Sequence, residues 1–151
     1  MRALLAACGG FLLAVLWMDL MFDVQVLRHG RGPAPLPEPV LASIAGYYRR
    51  VTTDAGPMRH AIALVMLAAI AASLVQLARG GEPLGLRLLE LACIAAPVAL
   101  AARRVLPSAI RLGTRGDPVE TQSALARAIC RDHLLCLSAI AGFVALQIGV
   151  G

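Results

Sequence analysis

Four stretches of this chain are apolar for about 20 residues each, the length an α-helix rising about 1.5 Å per residue needs to cross a hydrocarbon core about 30 Å thick. They run from about Ala3 to Val26, Met58 to Ala78, Leu84 to Leu106 and Ile129 to Val150. Ala61 to Val75 is uncharged throughout, whereas the third stretch is interrupted by Glu90 and Pro97. A soluble fold has no use for four such segments in 151 residues, and the composition agrees: 59% of residues are hydrophobic and 15% charged. The expected class is an all-α membrane protein, built as one domain over residues 1–151. No connection is long enough for a soluble domain, and no internal repeat is visible.

The first stretch has features of a targeting signal, because Arg2 precedes it and Leu5-Ala6-Ala7-Cys8 matches a lipoprotein cleavage box. Only a few residues precede Cys8, and the apolar run continues far past it, so the expectation is an uncleaved first helix.

All 14 basic residues are arginine, which together with abundant alanine and leucine suggests a GC-rich bacterial genome. Their distribution sets an orientation. Arg28, Arg31, Arg49, Arg50 and Arg59 surround the first long connection, and Arg103, Arg104, Arg111, Arg115, Arg127 and Arg131 the last; only Arg2, Arg79 and Arg87 fall on the other side. The positive-inside rule then puts both long connections in the cytoplasm and both termini in the periplasm of a bacterial inner membrane. Arginines beside apolar segments meet anionic lipid, and nucleic acid is not an expected partner.

Short connections make successive helices antiparallel, so the expected architecture is an up-down four-transmembrane-helix bundle. Ala68 and Ala72, Ala92 and Ala96, and Ser138, Gly142 and Ala145 are small residues at packing intervals. Within the first connection, Gly30 to Pro39 is a proline-rich, non-helical run, after which Leu41, Ile44, Ala45, Tyr48 and Val51 recur at helical spacing. This predicts a short cytoplasmic interfacial helix over about residues 38–53, lying flat on the membrane as a lid. Asp54 and Pro57 mark the start of the second membrane helix. Asp117, Pro118 and Glu120 read as the N-cap, first and third positions of a last helix that begins in the cytoplasm and runs towards Gln147.

Polar residues inside these helices carry the functional question, since an acidic group at mid-bilayer costs about 2.5 to 3.5 kcal/mol. Asp19 and Asp23 share a helix face one turn apart, about 22 and 28 Å along the first helix, near its cytoplasmic end. His60, Arg103, Arg104, Arg131, Asp132 and His133 fall at the same depth. Three readings follow. Asp19 and Asp23 form structural ion pairs with arginine or histidine, as do Asp132 and its neighbours. Alternatively, Asp19, His60, His133 and Cys130 hold a metal, or the end of the bundle holds haem, since imidazole with carboxylate suits divalent iron, zinc or manganese. The third reading is a proton or ion pathway. At the opposite end, Arg87 and Glu90 form an ion pair three residues apart.

Cys130 and Cys136 lie about 120° apart on a helix and are not expected to bond each other, and with Cys8 and Cys93 they read as buried thiols. Trp17, Tyr47 and Tyr48 fit an interfacial aromatic belt. Four helices in about 150 residues with polar groups gathered at one end is a layout similar to several groups of small membrane proteins, anthrone-oxygenase-like ones among them. The similarity is one of layout, and no residue role comes with it.

The leading functional expectation is a non-catalytic accessory or assembly subunit whose partners are the lipid bilayer and another membrane protein or a second copy of itself. It rests on the lack of a nucleotide loop or nucleophile constellation. The alternative is a small membrane oxidoreductase, or a metal- or haem-binding protein, acting on a lipophilic substrate at the cytoplasmic end. Asp19, Asp23, His60 and His133 would be its catalytic groups.

Overall fold

The structure is a computed structural model that describes residues 1–30, 32, 34–54 and 56–149. Arg31, which enters the orientation count, and Val150, the end of the fourth expected span, lie outside them. The described residues are helical nearly throughout, with no strand among them. Four helical stretches are long and apolar enough to cross a membrane: Arg2–His29, Gly56–Arg79, Leu84–Thr114 and Val119–Gly149.

The first stretch is α1 (Arg2–Asp23), tightening into a 3-10 segment, Val24–His29. After the proline-rich connector comes α2 (Glu38–Arg49), with Pro37 at its N-cap and Pro39 in its first turn, where a missing amide proton costs nothing. A π-turn, Arg50–Asp54, leads to α3 (Gly56–Arg79). Gly80 and Gly81, with φ of 65° and 92°, reverse the chain in a conformation only glycine adopts freely. The third stretch is α4 (Leu84–Leu100), with Pro97 inside it, followed by a π-turn, Ala101–Val105, and α5 (Leu106–Thr114). The helical backbone therefore continues past the expected end at Leu106. The π-turn ends just before Pro107, which has no amide proton for the Arg103 carbonyl four positions back, and widening there is how the helix accommodates it. Finally α6 covers Val119–Gly149.

In the ring of long helices, α1 packs on α3 and α6, and α4 packs on α3 and α6. Directions follow from contacts at the ends. Arg2, at the start of α1, donates to the carbonyl of Leu146 near the end of α6 and pairs with Glu82 just before α4. At the other end, the last residue of α1 meets the middle of α6, so each helix runs antiparallel to both neighbours.

Two apolar cores result. One lies within the ring and includes Leu5, Leu12, Ala69, Ile94, Ile140 and Phe143. The other joins α2, α5 and the first half of α6 through Leu41, Ile44, Tyr48, Leu112, Ala126 and Ile129. The apolar face of α2, expected to lie on lipid, is thus covered by protein: Leu41 and Ile44 are 0% exposed. The reason is that α5, a helical extension of α4, supplies a complementary apolar face.

Close approach occurs at glycines that the small-residue pattern did not select. A Cβ on Gly113 of α5 would stand 2.9 Å from the Arg49 amide nitrogen of α2, and one on Gly9 of α1 would collide with Val144 of α6. A Cβ on Gly142 would meet nothing within 4 Å. The connector is tied to α6 as well, since the Leu36 amide donates to Ser123 Oγ at 2.9 Å and Arg127 donates to the Ala34 carbonyl at 2.8 Å. Asp117, expected to cap α6, instead accepts two hydrogen bonds of 2.7 Å from Arg111 of α5. A bidentate guanidinium is a stronger donor than a backbone amide, and it holds the Asp117 carboxyl below the usual carboxylate range.

Candidate functional site: an Asp-Tyr-His network

At the α2 end of the ring, three elements deliver five polar side chains to one place. Asp19 and Asp23 come from the last turns of α1 on one face, Tyr47 and Tyr48 from the last turn of α2, and His133 from the middle of α6. Asp23 is 0% exposed and its two oxygens have different partners. The Tyr48 hydroxyl donates to Oδ1 at 2.7 Å, while His133 Nδ1 lies 2.6 Å from Oδ2. The distance is that of a hydrogen bond between the carboxyl and the imidazole, its direction set by the tautomer of His133. The other ring nitrogen, Nε2, faces Asp19 Oδ2 at 3.7 Å, a contact longer than a hydrogen bond. Asp19 Oδ1 accepts from the Tyr47 hydroxyl at 2.6 Å.

The network is graded. Asp23 and His133 lie in the interior, while the Asp19 side chain is 15% exposed. The Tyr47 ring stacks on Phe22, with centroids 4.1 Å apart and planes 10° from parallel, which fixes its hydroxyl towards Asp19. Burial holds both phenols well above the usual tyrosine range, and the negative field of the two aspartates adds to it. Both tyrosines therefore act as donors.

Other residues singled out by sequence are placed differently. Asp132, next to His133, turns to the opposite side and is held by Arg131 at 2.9 Å and by Arg104 Nε at 3.3 Å. Arg103 is exposed and makes no ion pair among the described residues. His60, at the start of α3, is exposed and shares no hydrogen bond with the network. Cys130 packs into the α2–α5–α6 core. The ligand set Asp19, His60, Cys130 and His133 is thus not gathered, and no group of three or more His, Cys, Asp or Glu among the described residues is arranged to hold a metal ion. All four cysteines are free. Arg87 donates to Glu90 at 2.7 Å and to Gln76 at 2.8 Å, and it also pairs with Glu82, so a second buried ionic group stands at the opposite end.

The residues that sequence reading missed are Tyr47 and Tyr48, assigned there to an aromatic belt. The available signal was the position of Tyr48 on the apolar face of a short helix, where a phenol needs a partner. Which carboxylate it meets depends on how α2 folds back, and no local pattern encodes that. The chain matches no protein-family profile, no curated protein and no solved structure.

Proposed function

We propose that this chain is a small multi-pass protein of the bacterial inner membrane. In this reading α1, α3, α4 with α5, and α6 form an antiparallel bundle of four transmembrane helices, with α2 at the cytoplasmic interface and both termini periplasmic. It acts as a non-catalytic accessory or assembly subunit, with lipid around its apolar faces and another membrane protein, or a second copy, as partner. The arginine asymmetry and the four apolar helices support the placement.

One observation carries the non-catalytic role: Asp23, wholly buried, has each oxygen taken by a side chain of the same protein. A carboxylate that binds a metal or itself exchanges a proton with a substrate needs a position open for it, and Asp23 has none. Asp23 instead behaves as a latch joining α1, α2 and α6, and the Asp132–Arg104 pair ties α6 to the π-turn that follows α4.

A second reading, an oxidoreductase or metal-binding site for a lipophilic substrate, is favoured by the contact of His133 Nε2 with Asp19 Oδ2. There the network reaches its most exposed carboxylate and is least tightly bonded. Asp19 and His133 would be its proton-transfer pair.

Purification from native membranes in mild detergent separates the two. A protein that copurifies with one membrane protein in fixed ratio, or as a defined oligomer, fits the subunit role. Stoichiometric metal or haem, lost in both Asp19→Asn and His133→Ala while the helical circular dichroism persists, would overturn it.

A further inference from the structure

On the outside of α4 and its π-turn, a surface groove of about 390 Å3 is lined by Ala96, Ala99, Leu100, Arg103 and Arg104. Its lining is almost entirely carbon, from Ala96, Ala99, Leu100 and the stems of the two arginines, and it lies open on the surface of one helical stretch. The π-turn, Ala101–Val105, sets both arginines at one end of it. Arg104 gives Nε to Asp132, and its two terminal nitrogens have no protein partner among the described residues. Arg103 has no ion-pair partner among the described residues. Arg104 and Arg131 share the single carboxylate of Asp132, and with Arg103 beside them this end carries two positive charges in excess.

An open apolar face beside excess positive charge fits an amphiphile with an anionic head. We propose that this groove seats one anionic phospholipid, its phosphate on Arg103 and the terminal nitrogens of Arg104 and its acyl chain along Ala96, Ala99 and Leu100. The inference rests on the membrane placement proposed above, which puts both arginines at headgroup depth in the leaflet where basic residues meet anionic lipid. Two features distinguish the seat from general attraction of basic residues to a charged surface. The apolar face adds an uncharged element of recognition, and Arg104 is tethered through Nε to Asp132 at 3.3 Å. Because Asp132 adjoins His133, lipid held here bears on the same stretch of α6 that carries the Asp-Tyr-His network.

The test is native mass spectrometry of the full chain released from detergent after equilibration with phosphatidylglycerol or phosphatidylcholine of matched acyl chains. Wild type retains one phosphatidylglycerol preferentially. Arg103→Gln, which breaks no protein contact, lowers that retention about fivefold, the effect of one basic residue at an anionic membrane surface. Ala99→Leu fills the groove without changing charge and lowers it comparably, and Arg79→Gln, at the other end of the bundle, leaves it unchanged. Equal retention of the two lipids by wild type overturns the proposal, as does full retention by Ala99→Leu, which would mean surface charge alone. A dimer that Ala99→Leu abolishes and lipid does not affect would assign the groove to a second copy and overturn it too. Recovery of the chain in the soluble fraction of lysed cells would instead defeat the membrane placement, a different failure from a membrane-inserted chain that does not discriminate between lipids.

Discussion

Asp23 and His133, 110 positions apart in the chain, meet at 2.6 Å through Oδ2 and Nδ1, in a place where the carboxylate has no exposure to solvent. Removing one member of such a pair leaves the other buried and unpaired. Asp23→Ala should therefore cost about 3 to 5 kcal/mol, seen as a large drop in the thermal midpoint in detergent. Asp23→Asn keeps the shape and the Tyr48 contact, with its NH2 group in place of the second acceptor, and should lose less. A drop for Asp23→Ala no larger than that of an exposed substitution, about 0.5 kcal/mol, would show that the pair does not hold the helices together.

The two tyrosines differ in what they leave behind. Tyr48→Phe deprives a fully buried carboxylate of one of two donors and should cost about 1 to 3 kcal/mol, while Tyr47→Phe acts on the more exposed Asp19 and should cost about 0.5 to 1.5 kcal/mol. Equilibrium unfolding of the two variants and their double mutant measures the order. A larger loss for Tyr47→Phe would contradict the graded burial of the network.

Alkaline pH offers a test without substitution. Both phenols are held above their ordinary range by burial and by the aspartates, so the fold favours their protonated forms. That contribution is whole below the usual phenol value of about 10 and declines as pH rises above it, because the unfolded chain then releases protons the native state retains. The chain has two tyrosines in all. Their phenolate absorbance should lag behind that of free tyrosine and rise together with loss of helical circular dichroism. Titration near 10 with helicity intact would place both hydroxyls in water.

Two glycine substitutions should move stability in opposite directions. Gly113→Ala presses a methyl against the backbone of Arg49, which no rotamer change relieves, and overpacking of this kind costs about 1 to 3 kcal/mol. Gly142→Ala meets nothing and gains helix propensity, up to about 1 kcal/mol. Thermal midpoints shifting the same way for both would show that the α2–α5 contact is looser than described.

Hydrophobic length alone exposed the four long helices, because the signal of an uninterrupted apolar run such as Ala61 to Val75 is local. Helical spacing likewise identified α2, and the shared face of Asp19 and Asp23 followed from their interval of four. Partners were another matter. His60 and His133 are equivalent in composition and expected depth, yet one is exposed and the other enters the network, since the rotation of each helix about its axis is set by packing against its neighbours. The apolar face of α2 was legible while its destination was not: lipid and α5 are equally good solvents for Leu41 and Ile44, and only the helical continuation through the π-turn brings α5 within reach. The sequence by itself determined the four long apolar helices and which polar residues interrupt them. Tertiary structure decided which groups satisfy them, because pairings such as Tyr48 with Asp23 and His133 depend on three helices docking at once, and such contacts leave no periodicity in the chain.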